Sequence, residues 1–233
     1  SALALGAPDR KVAFSVPTGN FGNVFAGYVA MRMGLPIERL IVASNRNDIL
    51  TRFFEQGAMQ RDSVVPSLSP SMDIQVSSNF ERLLFELLDR DGARVADMMA
   101  SFAKTGHFGL PEDAMAKAHV IFSAYRLDDD GTIDEIAASM TGEGMCLDPH
   151  SAVGVSAARR AIADGTVGPD IPMVALACAH PAKFEGAVKQ ATGTAPALPP
   201  HLADLMTRPE KMDKAPASAA AVRDLVLAQR RRG

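Results

Sequence analysis

Residues 11 to 56 alternate between short apolar strands and helical stretches, and a pair of glycines marks the first crossing. Lys11 to Val16, Lys-Val-Ala-Phe-Ser-Val, has the length and β-branched content of a buried strand. Pro17 ends it. Thr18-Gly19-Asn20-Phe21-Gly22-Asn23 then makes a tight turn. Val24 to Met33 carries small and apolar residues at a helical period, and Gly34-Leu35-Pro36 closes that helix. Arg39 to Ala43 is a second strand. A helix over Ile49 to Gln56 follows, stopped by Gly57, with Asn45, Asn47 and Asp48 read as caps. Strand, helix, strand, helix predicts an α/β fold, a mostly parallel sheet flanked by helices.

The rest of the chain continues the pattern less regularly. Gly57 to Met72 is rich in Ser and Pro and reads as a loop. Phe80, Leu83, Leu84, Leu87 and Leu88 recur at i, i+3, i+4, i+7 and i+8, an amphipathic helix that begins near Ser77 to Asn79 and ends at Asp91-Gly92. Val95, Met98, Met99 and Phe102 stripe the next one, and Thr105 to Pro111 breaks it. Ala118 to Tyr125 is expected as a strand, Asp128 to Gly131 as a turn, and Thr132 as the cap of a helix reaching Met140. Ser151 to Ala163 is helical, Ile171 to Ala177 a buried strand, and Phe184 to Ala191 a helix. A Pro-rich segment from 196 leads to a last helix, Ser218 to Arg232, whose Arg230, Arg231 and Arg232 complement the dipole at its end. Residues 196–233 are taken as part of the same domain as the rest.

Composition narrows the classes. At 47% hydrophobic and 22% charged the 233 residues are ordinary for a globular protein. A net charge of −3 argues against nucleic acid as a partner. No apolar run is long enough to cross a membrane, which needs about 18–20 residues. Two cysteines, Cys146 and Cys178, are too few for a disulfide framework and fit a reducing cytoplasm. Their separation has no metal-ligand spacing, so no metal site is expected.

The chemistry concentrates at the first turn. Glycines let backbone approach a ligand closely, and the helix that follows presents unpaired N–H groups and a partial positive charge. Gly19, Asn20, Phe21, Gly22 and Asn23 therefore suit an anion, best a phosphate. A plain tight turn in an α/β domain fits the same residues. Ser77, Ser78 and Asn79 set two hydroxyls and an amide at a second helix start, with the guanidinium of Arg82 one turn in, a set able to grip a phosphate or simply to cap. Cys178 stands at the end of the last strand. Asp148, His150, His180 and Lys183 could line a cleft at strand C-termini, or be caps and surface residues.

Six segments in order resemble the threonine synthase family. Val16-Pro17-Thr18-Gly19-Asn20-Phe21-Gly22-Asn23 comes first, and Ala43-Ser44-Asn45-Arg46-Asn47-Asp48 follows after Gly34-Leu35-Pro36. Leu68-Ser69-Pro70-Ser71-Met72-Asp73 and Ser77-Ser78-Asn79-Phe80-Glu81-Arg82 come next. Asp148-Pro149-His150-Ser151-Ala152-Val153-Gly154 and Cys178-Ala179-His180-Pro181-Ala182-Lys183-Phe184 complete the set. The resemblance implies a tryptophan-synthase-β-like fold and pyridoxal 5′-phosphate as cofactor. It implies a lyase of threonine biosynthesis that converts O-phosphohomoserine and water to threonine and phosphate. It assigns the Gly19–Asn23 loop to the cofactor phosphate, Ser77, Ser78, Asn79 and Arg82 to the substrate phosphate, and Cys178 to the pyridine nitrogen. The family usually has Thr at that last place. A thiol is equally neutral while its pKa stays near about 8.5, so the ring remains a moderate electron sink.

One part of the family pattern is missing. The lysine that forms the covalent link to the cofactor lies in a Phe-Lys-Asp segment upstream of the phosphate loop. None of the seven lysines here has that setting. The chain is therefore expected to be the C-terminal part of such an enzyme, an incomplete version of the fold whose N-terminal half is its missing partner, and inactive alone. Another pyridoxal-phosphate eliminating lyase and an inert phosphate-binding module are the alternatives. A non-phosphorylated substrate would have no use for the Ser77–Arg82 cluster.

Overall fold

The computed structural model describes residues 1–230. They fall into two compact units, divided between Pro196 and Ala197. In the first, β1 is Val12–Pro17, α1 Gly22–Arg32, β2 Ile37–Ser44 and α2 Ile49–Gln56. Two short strands, β3 Ala58–Gln60 and β4 His107–Gly109, pair antiparallel around α3 Phe80–Leu87 and α4 Gly92–Thr105. Next come α5 Glu112–His119, β5 Phe122–Arg126, α6 Asp129–Glu143, α7 Pro149–Ala163, β6 Met173–Ala175 and α8 Glu185–Thr192. The main sheet is parallel, in the order β5-β2-β1-β6. The expected fold class, a parallel sheet flanked by helices, is the one observed. The second unit holds two 3-10 turns and α9 Ala219–Arg230, with no buried residue on that helix.

Alternation along the strands separates two cores. Val16, Leu40 and Val42 face one side, where Phe21, Phe53, Phe54, Phe80, Leu83, Leu84 and Phe122 pack together. Ala13, Ile41 and Ala43 face the other, against Val153, Ala157 and Ala161 of α7. Small residues on that second face let α7 sit very close. Ser15 Oγ donates to Gly154 O at 2.6 Å, and a Cβ on Gly154 would lie 2.6 Å from Pro17 Cγ.

Several expectations need correction. Ala118 is the buried end of α5, and the strand begins at Phe122. Glu112 and Asp113 in the first turn, with Lys117 and His119 in the last, complement the helix dipole and favour helix there. The Gly57–Met72 and Thr105–Pro111 breaks each contain one strand of the small ribbon. Asp128, not Thr132, caps α6, accepting from Gly131 N at 3.0 Å, and the helix runs on to Glu143. The strand expected over Ile171 to Ala177 is three residues long and lies at the sheet edge, half-buried rather than buried. Asn45 and Asn47 do not cap α2. They reach Asp73 at 2.8 and 2.9 Å and Ser67 and Val65, pinning the 65–73 loop. The last helix starts at Ala219, and Arg231 and Arg232 lie outside the described residues.

Candidate active site

The loop after β1 is shaped by its ends. Thr18 N donates to Ala43 O at 3.0 Å, and Phe21 N donates to Thr18 Oγ1 at 3.0 Å. Phe21 sits at φ 62, a left-handed conformation that few aromatic residues adopt. Its ring is fully buried, 5.1 Å from Phe80 and 5.8 Å from Phe122 between centroids. Burial of the ring holds the turn. Gly22 opens α1, so its amide belongs to the unpaired first turn. The amides of Gly19, Asn20, Gly22 and Asn23 donate to no protein acceptor among the described residues. Gly19 has no room for a side chain, since a Cβ would lie 3.0 Å from Ile74 and 3.3 Å from Met72 Cα.

A cleft of about 250 Å³ opens against this loop. Gly19, Asn20 and Asn23 line it from the loop, Ser71 and Met72 from the turn before α3, and His150 from α7. Cys178, Lys183 and Phe184 line it from the segment beyond β6. His150 packs against Phe184, the ring centroids 4.7 Å apart and the planes tilted by 58°. Its two ring nitrogens are engaged: Nε2 accepts from Ser71 N at 3.2 Å, and Nδ1 faces Asp148 Oδ1 at 2.9 Å. Because Nε2 accepts, the neutral ring carries its proton on Nδ1 and donates it to Asp148.

Asp148 is buried and caps α7, accepting from His150 N at 2.9 Å. Burial pushes its carboxyl up, but the hydrogen bonds from His150 and Ser151 outweigh that and leave it below the ordinary value. The Cys178 thiol is pushed up to about 11, first by the protein around it and then by the charge of Asp148. His180 stands outside the cleft lining. It caps the turn 181–184, its Nδ1 accepting from Ala182 N at 3.2 Å.

The second cluster abuts the loop. Ser78 Oγ donates to Asn20 Oδ1 at 3.1 Å, and Asn79 Nδ2 to Asn20 O at 2.9 Å. Ser77 is 7% exposed, and its hydroxyl has no partner among the described residues. Arg82 lies exposed on α3, its side chain in no ion pair or hydrogen bond among the described residues. Thr18, Ser71, Met72, Ser151 and Phe184 were not singled out as site residues from the sequence. All five nevertheless stand in the segments that carry the family resemblance, and Ser151 also follows the capping Asp148 by three residues. No group of three or more His, Cys, Asp or Glu among the described residues could hold a metal ion. Among the described residues, no helix is long and apolar enough to cross a membrane.

Known proteins resemble this chain. Residues 151–226 match the family model described as threonine synthase, C-terminal. Threonine synthase of Pseudomonas aeruginosa is 49% identical over 234 aligned residues, which cover 100% of this chain and 49% of that protein. Threonine synthase of Corynebacterium glutamicum is 40% identical over 94% of this chain and 46% of its own length. Among solved structures, PLP-bound threonine synthase of Brucella melitensis superposes with a TM-score of 0.87 at 53% identity. That match covers 91% of this chain and 44% of the other. The chain spans about half the length of the curated relatives it matches.

Proposed function

We infer that this chain, a member of the threonine synthase family, forms the part of the active site that carries the cofactor phosphate. The observation that carries this reading is the set of four unpaired amides at a helix N-terminus, on Gly19, Asn20, Gly22 and Asn23, three of which (Gly19, Asn20 and Asn23) belong to residues lining the cleft. Pyridoxal 5′-phosphate suits that site. Its phosphate would lie against these amides. When bound, the cofactor supplies a ring that draws electrons from the substrate carbon.

The remaining roles belong to this chain's own residues. Cys178 faces the pyridine nitrogen as a neutral partner, which a thiol near 11 remains throughout the physiological range. Ser77, Ser78, Asn79 and Arg82 hold the phosphate of O-phosphohomoserine, a role supported by the unpartnered Ser77 hydroxyl and the unpaired Arg82. Lys183 adds positive charge to the cleft. Asp148 and His150 are part of its frame, and His180 its near surround. The overall reaction is O-phosphohomoserine and water to threonine and phosphate, completed by the rest of the enzyme, with residues 1–233 as its C-terminal, cofactor-phosphate part.

The test is a comparison of pyridoxal 5′-phosphate with pyridoxal by equilibrium dialysis against the chain. A site built for phosphate prefers the phosphorylated form at least tenfold, the loss expected for about one charge-assisted hydrogen bond. Equal affinity for both would overturn the reading.

A further inference from the structure

We propose that Asp148 is a positioning residue of the cleft, holding the Cys178–Ala179 segment and, through His150, the Ser71 turn against the start of α7. The proposal rests on the reading of the cleft as the cofactor site. Helix capping needs one acceptor, and Oδ1 supplies it to His150 N at 2.9 Å. The carboxylate does much more. Oδ1 also meets His150 Nδ1 at 2.9 Å, while Oδ2 accepts from Ser151 Oγ and from Ala179 N at 3.3 Å. Ser151 Oγ in turn accepts from Cys178 N at 2.9 Å, and His150 Nε2 from Ser71 N at 3.2 Å. Asp148, His150 and Ser151 are each at most 3% exposed. Two segments that line the cleft are thus tied to one buried carboxylate.

Only a carboxylate satisfies this set. Both of its oxygens are acceptors, and donors stand on both sides. An amide has one acceptor oxygen, so whichever way Asn is turned, its NH₂ meets a backbone N–H that cannot accept: His150 N on one side, Ala179 N on the other. As a plain cap Asn equals Asp. Asp148→Asn therefore separates capping from positioning. The charge has a second effect: it helps to hold the Cys178 thiol above its ordinary value. His150 and Lys183 line the same cleft, and His180 lies beside it, so they are the other titratable groups facing the thiol.

Residue-resolved amide exchange on the whole chain tests the proposal. Asp148→Asn should speed exchange at Ser71, Cys178 and Ala179 about tenfold more than at β2 amides such as Ile41, which report only the loss of global stability, the excess corresponding to roughly one hydrogen bond. Ser151→Ala should free Cys178 alone. Should Asp148→Asn not fold, Ser151→Ala carries the test, and an unchanged Cys178 amide in it overturns the proposal. Alkylation of Cys178 in a Cys146→Ser background gives an independent readout. Asp148→Asn should shift its pH profile to lower pH, and Ser151→Ala, which keeps the charge, should shift it less. Parent-like exchange and an unshifted profile in Asp148→Asn contradict the proposal. Neither readout needs cofactor, so failure of the cofactor reading would show separately, in the dialysis.

Discussion

Asn79 gives both its side-chain amide and its backbone N–H to the carbonyl oxygen of Asn20, at 2.9 and 3.2 Å. The start of α3 is thereby stitched to the glycine turn before α1. The two clusters proposed to hold phosphate are neighbours through this oxygen. Asn79→Ala removes one of the two bonds and should cost about 0.5–1.5 kcal/mol of stability. It should also weaken pyridoxal 5′-phosphate binding, because Asn20 presents one of the four open amides. Denaturant midpoints and dialysis check both, and a variant that loses stability with unchanged affinity would uncouple the clusters.

Gly154 marks where α7 meets the sheet. A methyl there would lie 2.6 Å from Pro17 Cγ and 2.9 Å from Cδ, on a ring that cannot turn away. Overpacking of this kind costs about 1–3 kcal/mol, so Gly154→Ala should destabilise the chain by up to about 2 kcal/mol net. The helix propensity gained by alanine, about 1 kcal/mol, is smaller than the upper part of that cost. Thermal unfolding of the variant decides it: a midpoint at or above the parent's would show that α7 shifts freely.

Acid should loosen the α7 end of the cleft. The folded value of Asp148 lies below the ordinary one, so between the two the unfolded chain binds the extra proton. Its contribution to stability is complete above the ordinary carboxylate value, about 3.9, and is lost as pH falls through the folded value. Asp148→Asn should be less stable at neutral pH and less sensitive to acid below about pH 4. Unfolding free energies at pH 7 and pH 3 measure this, and parallel pH dependence in parent and variant would exclude Asp148 as a contributor.

The chain alone should form no lasting bond to pyridoxal phosphate. Among the described residues, Lys183 is the one lysine lining the cleft. Borohydride reduction followed by mass spectrometry should find no stoichiometric adduct, and no phosphate should be released from O-phosphohomoserine. One lysine labelled to completion, with phosphate release, would make the chain a catalyst by itself.

Local signals explain what the sequence disclosed. β1, the glycine turn, α1, β2 and α2 were legible because apolar strands, two glycines and a proline coincide within a few residues. β3 and β4 were not, since three-residue strands are set by pairing across the chain, Met59 opposite Phe108, rather than by composition. Ala118 to Ile121 is apolar enough to pass for strand, and only the charges at both ends of α5 spoke for helix. The cleft's loop could be read from Gly19 and Gly22. On its opposite side His150, Cys178 and Lys183 were named as candidates, but the bond that ties that side together was not legible: Asp148 and Ala179 stand 31 residues apart, and no spacing rule links them. Asn45 and Asn47 looked like caps because their partners, Ser67 and Asp73, come from a loop without periodicity.

The central claim is that the turn after β1 binds phosphate through its backbone. The most direct measurement is a titration of the ¹⁵N-labelled chain with inorganic phosphate, following amide chemical shifts. The account predicts saturable shifts centred on Gly19, Asn20, Gly22 and Asn23, with Phe21 N, already bonded to Thr18 Oγ1, moving less. Shifts absent from those four amides, or spread evenly over the lysines and arginines of the surface, would contradict it.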